Sequence, residues 1–486
     1  MVFSSEVFLF LFLPATLLLY YSPFCRSITL KNIWLLLVSF VFYAWGEPVY
    51  ILLMLLSICM NWYFGRWVSA FPRTKKGKKI VAAACIYNLG MLFIFKYLAW
   101  LLRSFHLISE ESILASLALP IGISFYTFQA LSYVVDVYRR KEQAQKNLLY
   151  VGLYIAFFPQ LIAGPIVRYS TIAEQMKERR HSFEFFAEGV WRFVIGLSKK
   201  ILLANHLAVV AKIAFEREPA GLSVAFAWCG ALAFMLQIYF DFSGYSDMAV
   251  GLGKMFGFEF PENFNYPYIS CSITEYWRRW HISLGEWFRD YLYYPLALGP
   301  AVRLRKAATQ KFGRKAAARI SSAFLLAAVW MATGIWHGAN WTFLVWGVIQ
   351  FIFIYWEQYR KPIKNVKAGR VIGFITTFLV LLFTKVIFNA DSMPHAIHYY
   401  ASMFHLAGNA WTDVYGLYWI GQYKVFLITG VLLAFPVLET VGKFLKRKSF
   451  IKIWGVVQTV SMCVLLFLDI CYAVGGGYNP FIYFNF

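Results

Sequence analysis

The sequence predicts an all-α integral membrane fold, a bundle of many spanning helices with re-entrant pieces. Three observations carry that prediction. Hydrophobic residues fill 60% of the 486 positions and aromatic ones 20%, and the mean hydropathy is +0.58. Apolar runs of the roughly 20 residues that a spanning helix needs recur along the chain. The basic residues behind a formal net charge of +22 lie in short loops between those runs, as the positive-inside rule requires. No contiguous basic domain or arm is present, which argues against nucleic acid as the partner of that charge. No sizeable polar region stands apart to fold separately, so residues 1–486 read as a single membrane-embedded unit whose first partner is the lipid bilayer.

The first apolar run, 7–24, follows Glu6 and lacks a basic segment before it, so it reads as a retained span, not a cleaved signal. A second span ends near Trp45, Gly46-Glu47-Pro48 turns the chain, and a third runs to about Trp67. The basic stretch Arg73 to Lys79 precedes a fourth span over about 80–102. A connection bearing Glu110 and Glu111 leads to a fifth span that ends at Arg139-Arg140-Lys141. This alternation predicts an outer N-terminus, with loops 25–31, 72–79 and 139–147 inside.

Leu148 to Ala163 is apolar but interrupted by Pro159 and followed by Gly164-Pro165. Arg168 and Lys177 to Arg180 are basic again, so this piece is expected to re-enter and return to the same side. Spans at about 186–204 and 221–240 follow. Residues 241–300 hold Asp241, Asp247, Glu275, Arg278, Arg279, His281, Glu286, Arg289 and Asp290 among many aromatics. Charge this dense must face protein, water or the bilayer surface.

Arg303 to Arg319 reads as an inner basic loop, and so does Arg360 to Arg370. An even number of crossings must link them, as two helices or a broken pair meeting near Gly334–Gly338. Spans at about 371–388, 424–441 and 453–473 then bring the C-terminus outside. The cysteines at 25, 59, 85, 229, 271, 463 and 471 are scattered. None forms a close pair with metal-ligand spacing, so they read as small apolar residues and no metal site is expected.

The most informative stretch is Gly334-Ile335-Trp336-His337-Gly338-Ala339-Asn340-Trp341, set within apolar sequence. An imidazole at membrane depth is costly unless it faces a polar cavity or a partner. The glycines permit close approach of backbone or ligand, and the indoles can wall a pocket. The bland reading is a structural histidine bonded to a neighbouring helix. The functional one is general-base work: His337 removes the proton of a hydroxyl that attacks an activated acyl group. A Gly-x-Ser-x-Gly elbow and a His-Glu-x-x-His motif are both missing, so serine and zinc hydrolases have no support.

A second constellation runs from Ile273 to Tyr291. Trp277, Trp280, Leu284, Trp287 and Phe288 recur at helical spacing, which gives an apolar stripe beside a charged one. Glu275 is placed to pair with Arg278 or Arg279, and Glu286 with Arg289. The bland reading is an amphipathic interfacial helix with His281 as its hydrogen-bonding member.

Six motifs in order resemble the membrane-bound O-acyltransferase family. They are Pro120 to Gln129 (PIGISFYTFQ), Phe158 to Arg168 (FPQLIAGPIVR), Asp241 to Ala249 (DFSGYSDMA), Pro261 to Asn265 (PENFN), Trp277 to Ser283 (WRRWHIS) and Trp336 to Trp341 (WHGANW). The nearest branch is that of the alginate, peptidoglycan and exopolysaccharide O-acetylating proteins, and the resemblance runs the length of the chain. It implies helices around a central funnel or tunnel, catalysis by His337 with His281 as polar companion, and no permanently bound cofactor. It also implies a cytoplasmic thioester donor, acetyl-CoA, with the acyl group passed outward to a polysaccharide through an extracytoplasmic SGNH-type partner. The location that goes with this is a bacterial inner membrane. Asp241, Ser243, Tyr245, Asp247 and Asn340 are supporting polar residues in those motifs, with structural hydrogen bonding as their plain alternative.

The tail, 475–486, joins three glycines to an aromatic end. Its rings are suited to anchoring at the outer interface. The sharper reading folds it back into the outer mouth, where the Tyr483 hydroxyl receives the acyl group as a relay. It is similar to the C-terminal motif of this branch and of the small partner in lipoteichoic-acid D-alanylation. The alternatives are D-alanyl transfer from a carrier protein and a non-enzymatic transporter, whose polar residues would line a passage.

Overall fold

The computed structural model describes residues 1–109, 112, 118–162, 164–360, 365–447 and 451–475. Among these residues, nine helices are long and apolar enough to cross a membrane: Ile28–Gly46, Ile51–Ser69, Lys75–Ser104, Phe183–Phe215, Val224–Met255, Pro300–His337, Val366–Asn389, Val414–Leu433 and Gly455–Gly475. Exposed leucine, valine and phenylalanine on their outer faces suit lipid rather than water. Contacts divide the described residues into two compact units: 1–197, 245–262 and 473–475 form one, and 198–244 with 263–472 form the other.

In the first unit, helix Ile123–Tyr138 is buried along almost its whole length, which makes it a core helix. It starts at Gly122, whose φ of 77° is left-handed. A Cβ there would lie 2.8 Å from the Leu161 carbonyl oxygen, so only glycine meets both demands. The apolar piece after residue 147 breaks as expected. Leu148–Ala156 ends at Phe157, and Pro159 lies in the four-residue turn Phe158–Leu161. Both helices are too short to cross a bilayer. The rings of Phe3, Phe8, Phe12, Phe42 and Phe158 pack together in this unit.

The second unit carries the residues around 281 and 337. Three expectations change here. The basic stretch Arg303 to Arg319 is helical on both sides of Gly313 (φ 80°, ψ 165°), where the chain turns back so that the Ser321 hydroxyl donates to Ala301 O at 3.3 Å. Alanines 307, 308 and 316–318 favour helix, so the basic charge rides on it instead of on a loop. The stretch 273–291 does not form one continuous helix. Ile273–Trp277 and Ile282–Phe288 are separate, and His281 breaks them with a left-handed backbone, φ 46° and ψ 53°. The span expected at 424–441 occupies Val414–Leu433, because Asp413 caps its start through Gly416 N–H. A separate helix, Val437–Arg447, follows the turn at Pro436.

Candidate active site

The local chemistry around residue 281 begins with Glu357. Its carboxylate accepts the Ile273 N–H at 2.6 Å, the Thr274 N–H at 2.9 Å and the Thr274 hydroxyl at 2.7 Å. These are orphan donors of a helix start, and a carboxylate there also complements the helix dipole. Trp277 donates its indole N–H to Gln350 Oε1 at 3.0 Å. The pairs Glu275–Arg279 (3.0 Å) and Glu286–Arg289 (3.4 Å) form as the spacing predicts.

A short antiparallel pairing then holds the turn. Phe264 bridges Trp280, Asn265 N–H donates to Arg279 O, and Ile282 N–H donates to Asn263 O. His281 is thus clamped on both sides in a conformation that costs a non-glycine residue about 1–2 kcal/mol. Its imidazole is 1% exposed.

Asn263 fixes the tautomer of that imidazole. Its Oδ1 accepts the Ser283 N–H at 3.2 Å and the Ser283 hydroxyl at 2.9 Å, and it lies 3.1 Å from His281 Nδ1. A backbone N–H only donates, so the atom facing it is the amide oxygen. That oxygen has no proton, hence Nδ1 of His281 carries the hydrogen and Nε2 keeps its lone pair.

His337 is the last residue of helix Pro300–His337 and is 3% exposed. Three rings stand close to perpendicular to it: Trp336 at 5.0 Å, Trp346 at 5.0 Å and Phe388 at 5.2 Å. They come from three different helices, since Trp346 lies on Trp341–Tyr359 and Phe388 on Val366–Asn389. The carbonyl end of a helix favours positive charge, which suits an imidazole that takes up a proton.

The two helices meet at residues 338–340, at the edge of the Gly334–Gly338 stretch where a junction is expected. A Cβ on Gly334 would lie 2.6 Å from the Phe343 carbonyl oxygen, and one on Gly338 would strike the Phe343 ring. The two glycines therefore admit the neighbouring helix.

Trp336 joins the two histidines. Its ring lies 5.0 Å from that of His337 and 5.9 Å from that of His281. Residues 56 positions apart in sequence thus share one indole wall. Trp277 extends the contact, at 5.6 Å from Trp346.

The other expected site residues have partners of their own. Asn340 accepts the Thr342 N–H with Oδ1 and donates Nδ2 to Asp391 O, a helix cap. Asp241 pairs with Lys200 at 2.7 Å, both almost fully buried, where the chain widens to π geometry over Lys199–Ala204. Ser243 is buried one turn's reach along the same helix. In the first unit, Tyr245 stacks on Phe3 at 4.5 Å, and Asp247 pairs at 2.7 Å with Arg192, which also pairs with Glu262 at 2.5 Å. Tyr483 and the tail 476–486 lie outside the described residues. Among the described residues, no group of three His, Cys, Asp or Glu side chains is placed to hold a metal ion.

Sequence reasoning assigned no role to Asn263, Gln350, Glu357 or Lys385. Lys385 had a readable signal, a lysine inside the apolar run 371–388. Asn263 stood within the PENFN motif, but its partners are 18 and 20 positions away and only the fold joins them.

In a bundle whose helices are long and apolar enough to cross a membrane, two histidines are buried against a common tryptophan. Residues 91–367 match the sequence profile of MBOAT, the membrane-bound O-acyltransferase family. A probable alginate O-acetylase of Azotobacter vinelandii is 39% identical over 91% of this chain and 85% of its own length. One of Pseudomonas putida is 37% identical over the whole of both chains. A peptidoglycan O-acetyltransferase of Helicobacter pylori is 29% identical over all of this chain and 98% of its own. The chain belongs to the membrane-bound O-acyltransferase family, and it is a multi-pass membrane enzyme.

Proposed function

We propose that this enzyme carries an acetyl group from a cytoplasmic thioester, acetyl-CoA, to the outside of a bacterial inner membrane, for O-acetylation of a cell-wall or exopolysaccharide. The observation that carries the reading is the convergence of His281 and His337 on Trp336. Relatives matching the whole chain are named for acetylation of alginate and peptidoglycan, which supports the acyl group and the acceptor class.

His337 acts as general base. The acceptor O–H gives its proton to the imidazole, and the oxygen attacks the thioester carbonyl carbon. The tetrahedral adduct then expels the thiolate, which takes the proton back. His281, held with Nε2 as an acceptor, orients the hydroxyl or a water beside it. The acceptor at the centre is the Tyr483 hydroxyl, and an extracytoplasmic SGNH-type partner moves the acetyl group onward. The outward-facing C-terminus inferred from loop charge supports that relay.

The test is reconstitution of the full chain with radiolabelled acetyl-CoA and with a D-alanyl carrier protein as separate donors, followed by mass spectrometry of the C-terminal peptide. Acetyl label on Tyr483, lost in Tyr483→Phe, is the expected result. His337→Ala should lower turnover by about 10²–10⁴-fold, the usual contribution of a positioned base. Unchanged turnover in His337→Ala overturns the base assignment, and turnover intact in Tyr483→Phe overturns the relay.

A further inference from the structure

Lys385 stands on helix Val366–Asn389, four residues before its end, and is 3% exposed. Among the described residues its Nζ makes no hydrogen bond and no ion pair; its contacts are ring faces. It lies 4.6 Å from the centroid of Trp280 and 5.0 Å from that of Phe388. Neither ring is incidental. Trp280 immediately precedes His281 and bridges Phe264 in the turn that clamps it. Phe388 stands against His337 at 5.2 Å.

An ammonium with three N–H donors is expensive at membrane depth and is normally paired with a carboxylate or with carbonyls. Two other buried cations among the described residues follow that rule: Lys200 has Asp241, and Arg179 has Asn32 Oδ1 and the Gln175 carbonyl. Cation–π contacts hold Lys385 in place, but they leave its N–H donors without oxygen acceptors. A positive charge in an apolar, ring-walled setting is what a reaction that makes an oxyanion needs. It is strongest where water is excluded, and its orientation costs nothing at the moment of reaction.

We propose that the Lys385 ammonium, held between the ring of Trp280, the residue before His281, and the ring of Phe388, which stands against His337, receives the carbonyl oxygen of the acyl group during transfer. As the acceptor oxygen bonds to the carbonyl carbon, the π pair moves onto the carbonyl oxygen, and Lys385 donates a hydrogen bond to that alkoxide. When the adduct collapses, the pair reforms the C=O bond and the C–S bond breaks. The thiolate leaves with the proton that His337 held. Lys385 keeps its own proton throughout. This rests on the reading of His337 as the base.

The experiment measures thiol release from acetyl-CoA by the full chain in vesicles, with kcat and KM taken separately for wild type, Lys385→Met, Lys385→Gln, Lys385→Arg and His337→Ala. Lys385→Met is expected to lower kcat about 10²–10³-fold, as loss of an oxyanion donor does. The KM for acetyl-CoA should stay within about threefold, because the charge acts on the transition state. Lys385→Gln, neutral but still an N–H donor, gives a second reading at the position and should fall between. Lys385→Arg, which keeps the charge, should recover at least tenfold over Lys385→Met.

A merely structural cation would give normal kcat in the folded fraction and a shifted unfolding midpoint, and that result overturns the proposal. Equal losses in Lys385→Met and Lys385→Arg overturn it too. Near-wild-type Lys385→Met alongside inactive His337→Ala removes the role of Lys385 alone. Turnover in His337→Ala removes the base on which it rests.

Discussion

The surroundings of the two histidines are built in opposite ways. His337 ends the helix that follows the break at Gly313, and what packs against it is rings from its own and two neighbouring helices. His281 interrupts a helical run, and what holds it is a set of hydrogen bonds: Asn263 on Nδ1, Ser283 on Asn263, and the bridge between Phe264 and Trp280. Rings exclude water from the imidazole they surround. Hydrogen bonds to one nitrogen fix which lone pair is presented. The contrast is what the proposed division of roles rests on, a mobile proton on His337 and a fixed acceptor on His281.

The sharpest way to break that contrast is at residue 281. Asparagine tolerates the left-handed backbone that His281 adopts, so His281→Asn keeps the turn while removing Nε2. Its kcat should fall on the order of tenfold to a hundredfold, less than for His337→Ala, with the unfolding midpoint near that of wild type. His281→Ala should lose the same activity and also some stability, because it removes the imidazole packed on Phe242 and hydrogen-bonded to Asn263 without easing the left-handed backbone as asparagine does. A loss in His281→Asn equal to that in His337→Ala would show that the two imidazoles act as one unit and would end the division of roles.

Asn263→Leu sharpens the same point at lower amplitude. It leaves His281 in place but frees its tautomer, and it strands the Ser283 N–H. A kcat loss of roughly tenfold is expected, the size seen when an orienting partner of an imidazole is removed. The profile of kcat against pH should change shape on its acid limb while the KM for acetyl-CoA holds. If only the unfolding midpoint moves, Asn263 supports the turn and nothing more.

The sequence made the helical architecture legible because bilayer thickness imposes it: span length, loop charge and the two-helix junction near Gly334–Gly338 all follow from apolar run and basic punctuation. His337 was legible for the same reason, as an imidazole without a solvent to justify it. His281 was visible as a residue, but its environment was not. Periodicity from Trp277 to Phe288 reads as one helix, and the tertiary bonds of Asn263 and Phe264 break it. Helical spacing reports a local preference, which a clamp from 16 to 18 positions upstream can override. The charge on 303–319 misled in the other direction. Basic residues mark a side of the membrane, and a helix carries them there as readily as a loop.

Glu357→Ala probes the outermost layer of this arrangement, the anchor of the segment that leads into His281. The carboxylate takes two backbone N–H groups and one hydroxyl at the start of Ile273–Trp277. Alanine leaves those donors beside apolar neighbours, and the cost should be about 1–3 kcal/mol of stability, read as a lower unfolding midpoint in the same vesicles. Activity of the protein that stays folded should change by no more than about threefold, because the bridge at Phe264 and the Asn263 bonds lie between this cap and the imidazole. A loss of kcat as large as that in Asn263→Leu, with the midpoint unchanged, would mean that the helix start transmits its position directly to His281. The hydrogen-bonded histidine would then be tuned from the far end of its helix, whereas the ring-walled one would still be set by its immediate neighbours.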